Sequence, residues 1–201
     1  MGKVKAGATM SLDGYIAGPN DTGFDLLFKW YQGGDVVVPM PDQTAQVEDS
    51  HVSPTTAEIL RREMSSWGAL VVGRHLYDMT SGWNGRHPLD VTTVVLTHHP
   101  PEDRPQADEN FVFVTEGIEA AVAKAKELAG DKDVAVNGGQ MARQALEAGL
   151  LDEIGVELVP VLLGAGTRLF AEAGPESVEF DGPFLVAEGN GVTHLRYRVK
   201  R

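Results

Sequence analysis

The chain of 201 residues contains no cysteine. Disulfide bonds, thiolate catalysis and cysteine-ligated zinc are therefore excluded, and because this composition suits a reducing compartment we expect a cytoplasmic protein. The sequence also lacks any apolar run near the roughly 18 residues that a transmembrane helix needs. Charges interrupt the apolar positions of its opening stretch, MGKVKAGATM, so we expect neither a signal peptide nor a membrane partner.

Positive charge is also scarce. The 17 lysines and arginines stand against 29 aspartates and glutamates, which gives a formal net charge of −12. An acidic surface repels nucleic-acid phosphates, so we expect no nucleic-acid partner. Any site for an anionic ligand must instead be locally basic or built from backbone amides, and this requirement directs attention to individual arginines and glycines.

Short β-rich runs alternate with helical patterns along the chain. The pattern predicts strands at 4–10, 69–72, 91–97, 111–114, 134–137, 153–159 and 193–199. It predicts helices at 54–66 with Ser53 as N-cap, at 118–129, and from 140 to about 148. Turns are expected at 181–183 and 189–191. This alternation is typical of an α/β fold with a mixed, mostly parallel sheet, flanking helices and an antiparallel C-terminal hairpin, in a single domain over residues 1–201.

The stretch from about residue 19 to 52 departs from the alternation and is predicted to be a loop-rich insertion. It carries the aromatic residues Phe24, Phe28, Trp30 and Tyr31. Two interpretations fit. As a lid, the segment would offer aromatic faces and the Asp25 carboxylate to a flat heterocyclic substrate, with Asp25 and Trp30 as substrate-binding residues. As a short amphipathic helix, it would cover the sheet or a partner subunit.

A glycine pair follows the predicted strand at 134–137. Gly138 and Gly139 lead directly into the helix that opens with Gln140 and Met141. Backbone amides at a helix N-terminus, with no Cβ to block a close approach, suit a pyrophosphate group. Taken alone, such a pair is more often a tight turn, and the G-x-G-x-x-G fingerprint of a Rossmann fold is missing here.

Two further strands end in cationic or polar residues. Gly73-Arg74 follows the strand at 69–72, and Thr97-His98 ends the strand at 91–97. Ligands of open α/β sheets bind at the carboxyl ends of strands, and an arginine fork there matches a phosphate. Taken alone, Arg74 is better explained by a surface salt bridge. His98 and His99 are adjacent and point apart, with no carboxylate set beside them, so we expect no metal site.

The stretch S-L-D-G-Y-I-A at 11–17 follows the first predicted strand. Its Asp13-Gly14 pair is typical of a turn. The sequence suggests neither a Ser-His-Asp nucleophile arrangement nor a pair of catalytic carboxylates. Asp13 remains the candidate catalytic residue for placing a proton on a substrate.

These pieces, in this order, resemble the dihydrofolate-reductase superfamily, and within it most of all the reductase domain of the bacterial bifunctional riboflavin-biosynthesis deaminase-reductase. The motifs are S-L-D-G-Y-I-A at 11–17, V-V-G-R-H-L-Y-D at 71–78, V-V-L-T at 94–97, V-N-G-G-Q at 136–140 and the run from Gly149 to Phe170. Each motif is weak singly, and the ordered set is specific. The resemblance covers most of the chain outside 24–49 and implies the three-layer dihydrofolate-reductase-like fold; we also expect a homodimer.

The resemblance implies that the separate phosphate candidates form one NADPH site. Gly73, Arg74, Thr97 and His98 would hold the adenosine phosphate end. Gly138, Gly139, Gln140 and Met141 would hold the pyrophosphate, and Ile16 and Ala17 would flank the nicotinamide. We therefore expect an NADPH-dependent reductase that transfers a hydride to a C=N or C=O bond of a small heterocyclic or ribosylated substrate, with the pyrimidine ribosylamine of riboflavin synthesis as the first candidate.

The chain departs from its relatives in two ways. It lacks the H-x-E…P-C-x-x-C signature of the zinc deaminase half. Dihydrofolate reductases also carry a pterin-gripping acid in the helix before the Gly-Arg strand, and the matching position here is Ala57, with Glu58 beside it. Asp25, which is followed by Leu-Leu-Phe, imitates that acid in sequence, but this match would require residues 33–66 to be an insertion. A pterin reductase is the alternative substrate assignment, and a nucleotide- or flavin-binding module without turnover is the alternative class.

Overall fold

The computed structural model describes residues 2–42, 48–102, 110–171 and 177–200. The strands are β1 Val4–Ser11, β2 Tyr15–Ala17, β3 Val36–Val38, β4 Ser50–Val52, β5 Trp67–Gly73, β6 Thr92–Leu96, β7 Phe111–Val114, β8 Asp133–Asn137, β9 Glu153–Val159, β10 Thr167–Arg168, β11 Phe180–Gly189 and β12 Val192–Val199. The α-helices are α1 Phe24–Leu27, α2 Pro54–Ser66, α3 Arg74–Met79, α4 Ile118–Ala129 and α5 Gln140–Glu147. Short 3₁₀ helices occupy Lys29–Gln32 and Ser81–Gly85.

An eight-stranded sheet with the order β11-β12-β9-β1-β8-β5-β6-β7 forms the centre of the molecule. The strands from β9 to β7 in this order run parallel, and β12 and β11 add an antiparallel hairpin at one side. The carboxyl ends of the parallel strands therefore meet at one edge of the sheet, where the segments that follow β1, β5, β6 and β8 lie side by side.

One face of the sheet is closed by helices. Val4 and Ala6 of β1 alternate toward this face, where Ala121, Val122 and Ala125 of α4 pack closely because their side chains are small. The positions between them, such as Lys5 and Gly7, point to the opposite face. That opposite face is only partly covered, so it leaves room for a cleft.

Helix α2 covers part of the second face. Its N-cap is Ser53, whose side chain accepts a hydrogen bond from the Thr56 amide at 3.3 Å, and Pro54 takes the first helical position, as predicted. Leu60 of α2 packs on Leu27 and Trp30 of the inserted segment. The insertion is thus attached to the body of the domain through α2.

The predicted strands and helices are all present, with ends within two residues of the prediction. The turn predicted at 181–183 is wrong, because these residues lie inside β11, where the ladder to β12 is irregular between Asp181 and Leu185. The region 19–52 is not only loop: it contains α1, a 3₁₀ helix and the antiparallel pair β3–β4, while residues 43–47 lie outside the described ranges. No helix within those ranges is long and apolar enough to cross a membrane.

Candidate active site

A cleft of about 2080 Å³ lies over the open face of the sheet and reaches the carboxyl edge of its parallel strands. Pockets that hold one small ligand usually have roughly 300–1,000 Å³. The cleft therefore has room for two ligands side by side, such as a cofactor and a substrate.

The predicted cofactor-binding residues all line this cleft, although they come from four separate parts of the chain. They are Ile16 and Ala17 on β2, Gly73 and Arg74 at the junction of β5 and α3, Thr97 and His98 after β6, and Gly138, Gly139, Gln140 and Met141 between β8 and α5. The parallel sheet brings them together because each group follows the carboxyl end of a strand.

Arg74 is held in place by two neighbours. Its Nε donates to the carboxylate of Asp78 at 2.7 Å, and its Nη1 donates to the backbone carbonyl of His99. The salt-bridge interpretation of Arg74 is therefore confirmed, and the same side chain also lines the cleft. A guanidinium fixed in this way loses little conformational entropy when it binds an anion.

The Thr97 hydroxyl is used within its own turn. It donates to the carbonyl of His99 at 3.1 Å and accepts from the His99 amide at 3.2 Å. The sequence had suggested that Thr97 donates to a phosphate, but in the structure its hydroxyl hydrogen is bound to the His99 carbonyl. Thr97 instead shapes the turn that brings this carbonyl to Arg74. His98 is exposed and lines the cleft.

Gly139 shapes the junction between β8 and α5. Its φ of 75° and ψ of −132° lie where a side chain is rarely tolerated, and its amide donates to the Leu169 carbonyl at 2.8 Å. No side chain caps α5, and the amides of its first turn have no hydrogen-bond partner inside the helix. This turn starts with Gln140 and Met141, which line the cleft. Thr167 of β10 stands next to this junction, with its Cγ2 3.4 Å from the position that a Cβ on Gly139 would take.

Asp13 does not line the cleft, which corrects its predicted catalytic role. Its carboxylate accepts from the Ser11 hydroxyl at 2.6 Å and from the amides of Leu163 and Gly164 at 3.1 and 2.7 Å. The hydrogen bond from Ser11, helped by the two amides against a weaker effect of burial, lowers the pKa of Asp13 to about 2. Asp13 is therefore an anchor for the loop after β9 and a poor proton donor at neutral pH.

The aromatic segment divides its residues between the core and the cleft. Phe24, Phe28 and Tyr31 line the cleft, as the lid interpretation requires. Phe24 and Tyr31 also pack against the core cluster that contains Leu27, as the helix interpretation requires, and Trp30 is a buried member of that cluster at 4% exposure. Asp25 is exposed and lies outside the lining of the cleft, so the structure does not support the substrate-binding roles predicted for Asp25 and Trp30.

Sequence reasoning missed a charged group on the wall of the cleft. Glu63 of α2, Glu157 of β9 and Arg196 of β12 line it together with Tyr31. Burial acts to lower the pKa of Arg196, but Glu157 and Glu63 outweigh this effect and raise it. Burial and the same two carboxylates raise the pKa of Tyr31. The available signal was the alternation of His194, Arg196 and Arg198 along β12, and of Glu153, Gly155 and Glu157 along β9, since such alternation marks one face of a strand.

No group of three or more histidine, aspartate and glutamate side chains that could hold a metal ion occurs in the part of the chain that the structure describes.

The parallel sheet, its antiparallel hairpin and the cleft at the carboxyl ends of its strands define an α/β protein with a large ligand-accessible cleft. The family model of the RibD C-terminal domain matches residues 3–193, and the chain belongs to this family. A putative riboflavin biosynthesis protein from Shewanella sp. PV-4 superposes with a TM-score of 0.69 at 23% identity, covering 99% of both chains. Dihydrofolate reductase from Enterococcus faecalis, solved with NADP(H) and RAB-propyl, superposes with a TM-score of 0.53 at 18% identity, covering 99% of this chain and 97% of that one.

The fold is therefore dihydrofolate-reductase-like, as predicted, and family and fold together support a reductase-like role. Among curated proteins, the uncharacterized protein YwjB of Bacillus subtilis is 28% identical over 104 residues. That match spans 51% of this chain and 58% of the length of YwjB.

Proposed function

We propose that the protein is an NADPH-dependent reductase that transfers a hydride to a C=N or C=O bond of a small heterocyclic or ribosylated substrate. The observation that carries this proposal is the convergence on one cleft of the three strand-end segments predicted separately as phosphate contacts, together with Ile16 and Ala17, which the resemblance places at the nicotinamide. Membership of the RibD C-terminal domain family and the NADP(H) in the dihydrofolate reductase neighbour support the choice of cofactor.

The local charge of the cleft supports an anionic cofactor. With a net charge of −12, the molecule as a whole repels a phosphorylated dinucleotide, so binding needs cations placed at the site. Arg74 supplies one such cation for the adenosine phosphate. Arg168 supplies another, stacked over the Tyr15 ring at 4.6 Å, and α5 presents its first amides for the pyrophosphate.

When bound, NADPH supplies the hydride, and the chain binds, orients and shields it. Gly139 leaves open the space that a side chain would fill beside the pyrophosphate. Ile16 packs against Gly138, and together with Ala17 it gives the nicotinamide an apolar wall that excludes water. Phe24, Phe28 and Tyr31 form the neighbouring aromatic surface for a flat substrate.

The pterin-reductase alternative is disfavoured by α2. Its residue Ala57, at the position that carries the pterin-gripping acid in dihydrofolate reductases, is fully buried at 0% exposure. The neighbouring Glu58 is exposed and lies outside the lining of the cleft. The substrate is therefore expected to be a heterocycle other than a pterin held in the dihydrofolate reductase manner.

Replacement of Arg74 tests the cofactor assignment. Arg74→Ala should weaken NADPH binding by roughly 1.5–3 kcal/mol, because one charge-assisted contact to the extra phosphate is lost. This corresponds to about 10- to 150-fold in affinity. NADH binding should change little. Calorimetric titration of both cofactors into both proteins measures the difference.

Arg86→Ala is the matched control, since Arg86 forms the same type of pair, with Asp90 four residues later, outside the cleft. It should bind NADPH like the native protein. Equal losses for NADPH and NADH in Arg74→Ala would contradict a role in reading the extra phosphate. A native protein that binds neither cofactor would overturn the proposed function.

A further inference from the structure

A buried ionic cluster lies on the cleft wall, away from the residues assigned to the cofactor. Arg196 is at its centre and is 7% exposed. Its Nε donates to Glu63 Oε1 at 2.7 Å, and its Nη2 donates to Glu157 Oε1. Because each carboxylate lines the cleft while one of its oxygens is tied to Arg196, both are fixed in position at the ligand-accessible surface.

Glu157 has a second buried support on β12. His194, at 0% exposure, is its cross-strand partner and donates from Nδ1 to Glu157 Oε2, since an ionised carboxylate can only accept. His194 Nε2 lies 2.9 Å from the Thr56 hydroxyl, which in turn accepts from Ser53 at 3.1 Å. This chain of hydrogen bonds links the N-terminus of α2 to Glu157 and holds that carboxylate in position.

Gly155 makes room for the cluster. It lies between Glu153 and Glu157 on the same face of β9 and is the cross-strand partner of Arg196. A Cβ at Gly155 would lie 3.2 Å from Nε and 3.3 Å from Cζ of Arg196. The guanidinium therefore rests flat over a strand position that has no side chain, and its planar fork reaches both glutamates.

The chemistry of the cluster defines what it can bind. Two carboxylates face one guanidinium, so the group is net negative, and each carboxylate has about four acceptor sites, of which the contacts to Arg196 and His194 use only some. Both oxygens of Glu157 already accept one hydrogen bond each, whereas Arg196 contacts only Oε1 of Glu63. Acceptor capacity therefore remains on both carboxylates, and both line the cleft together with Tyr31 and Phe28. Such a surface attracts N–H donors and repels phosphates and carboxylates.

We propose that Glu157 and Glu63 form the recognition site for the substrate's heterocycle and bind an edge that carries N–H donors, such as an amino group beside a ring N–H. This inference rests on the proposed function and adds to it the class of substrate. Any anionic part of the substrate must then lie elsewhere in the cleft, because the cluster would repel it.

Isocytosine, which carries an amino group beside ring nitrogens, is the probe, and orotate is the anionic counterpart. In ligand-observed NMR titrations with the full chain, isocytosine should bind, and added orotate should not displace it. Glu157→Gln and Glu63→Gln should each weaken isocytosine binding about tenfold or more, because a charge-assisted hydrogen bond becomes a neutral one. Glu153→Gln, on the same face of β9 but paired with Lys3, is the matched control and should bind like the native protein.

Unchanged isocytosine binding in both Glu157→Gln and Glu63→Gln would overturn the proposal. Displacement of isocytosine by orotate, or no binding of isocytosine to the native protein at millimolar concentration, would also overturn it. If circular dichroism shows that Glu157→Gln does not fold, the more exposed Glu63→Gln decides the test alone. NADPH affinity, measured separately in each variant, should stay native. If the native protein does not bind NADPH, the proposed function fails, whatever the result with isocytosine.

Discussion

Asp13 illustrates how a single carboxylate acquires a structural role that the sequence does not reveal. Its neighbours Ser11 and Gly14 mark a turn in the sequence, but two of its three partners, Leu163 and Gly164, are far away along the chain. Only the folded structure brings their amides to the carboxylate. The charge of Asp13 thereby ties the segment after β1 to the loop after β9.

This anchor should make stability depend on pH. The pKa of Asp13 falls from 3.8 to about 2 in the folded state, so its contribution is fully present above the unfolded value and is lost as pH falls through the folded one. Asp13→Asn should lower the free energy of unfolding at neutral pH, and the difference from the native protein should shrink as pH falls from about 4 to about 2. Urea unfolding of both proteins across this range measures it. A difference that does not change with pH would show that the charge is not responsible.

Site residues at the ends of strands can be found from the sequence, whereas site residues inside strands cannot. Arg74, Thr97 and Gly138 follow apolar strands directly, so a polar or glycine residue stands out where the apolar run ends. Glu157 and Arg196 lie inside strands, where an alternating polar residue normally faces solvent. Their position in the cleft depends on which sheet face the helices leave open, and this is a property of tertiary packing alone.

The junction of Gly139 and α5 gives a direct test of the proposed pyrophosphate site. Gly139→Val should abolish NADPH binding while the chain remains folded, because the branched side chain would enter the space beside the first amides of α5 and strain its backbone. Calorimetry and circular dichroism measure the two effects.

Gly130→Val provides a matched control for this change. Gly130 ends α4 with φ 61° and ψ −119°, a conformation close to that of Gly139, but it lies outside the cleft lining and a Cβ there meets nothing within 4 Å. It should lose stability to the same backbone strain and keep NADPH affinity. Equal loss of binding in both variants would show that the effect at Gly139 comes from backbone strain alone.

Elements with strong local signals were predictable, and short ones were not. Helix α2 has its N-cap Ser53 and a proline at its start, and α4 has a regular apolar spacing that ends at Gly130. Helix α3 and the 3₁₀ helix at Lys29–Gln32 each span less than two full helical turns, too few for a periodic pattern, so tertiary contacts decide their conformation. The inserted segment was ambiguous for the same reason: Trp30 is buried in the core, while Tyr31, its neighbour in sequence, packs against that core and also lines the cleft.

At the scale of the whole molecule, an acidic domain keeps two chemically different ends within one cleft. The end that we propose for the cofactor combines Arg74, Arg168 and helix amides, which favour phosphates. The wall formed by Glu63, Glu157 and Arg196 is net negative and so favours N–H donors. This separation of charge would direct the two ligands to different ends of the cleft, with the aromatic surface of the inserted segment beside the substrate.

Hydrogen–deuterium exchange with and without NADPH tests the central claim, that the strand-end segments form one cofactor site, most directly. On addition of NADPH we expect slower exchange at 73–75, 97–99 and 138–142 together, with α4 and the β11–β12 hairpin unchanged. Protection confined to one of these segments, protection of the hairpin instead, or no change at saturating NADPH would contradict the account.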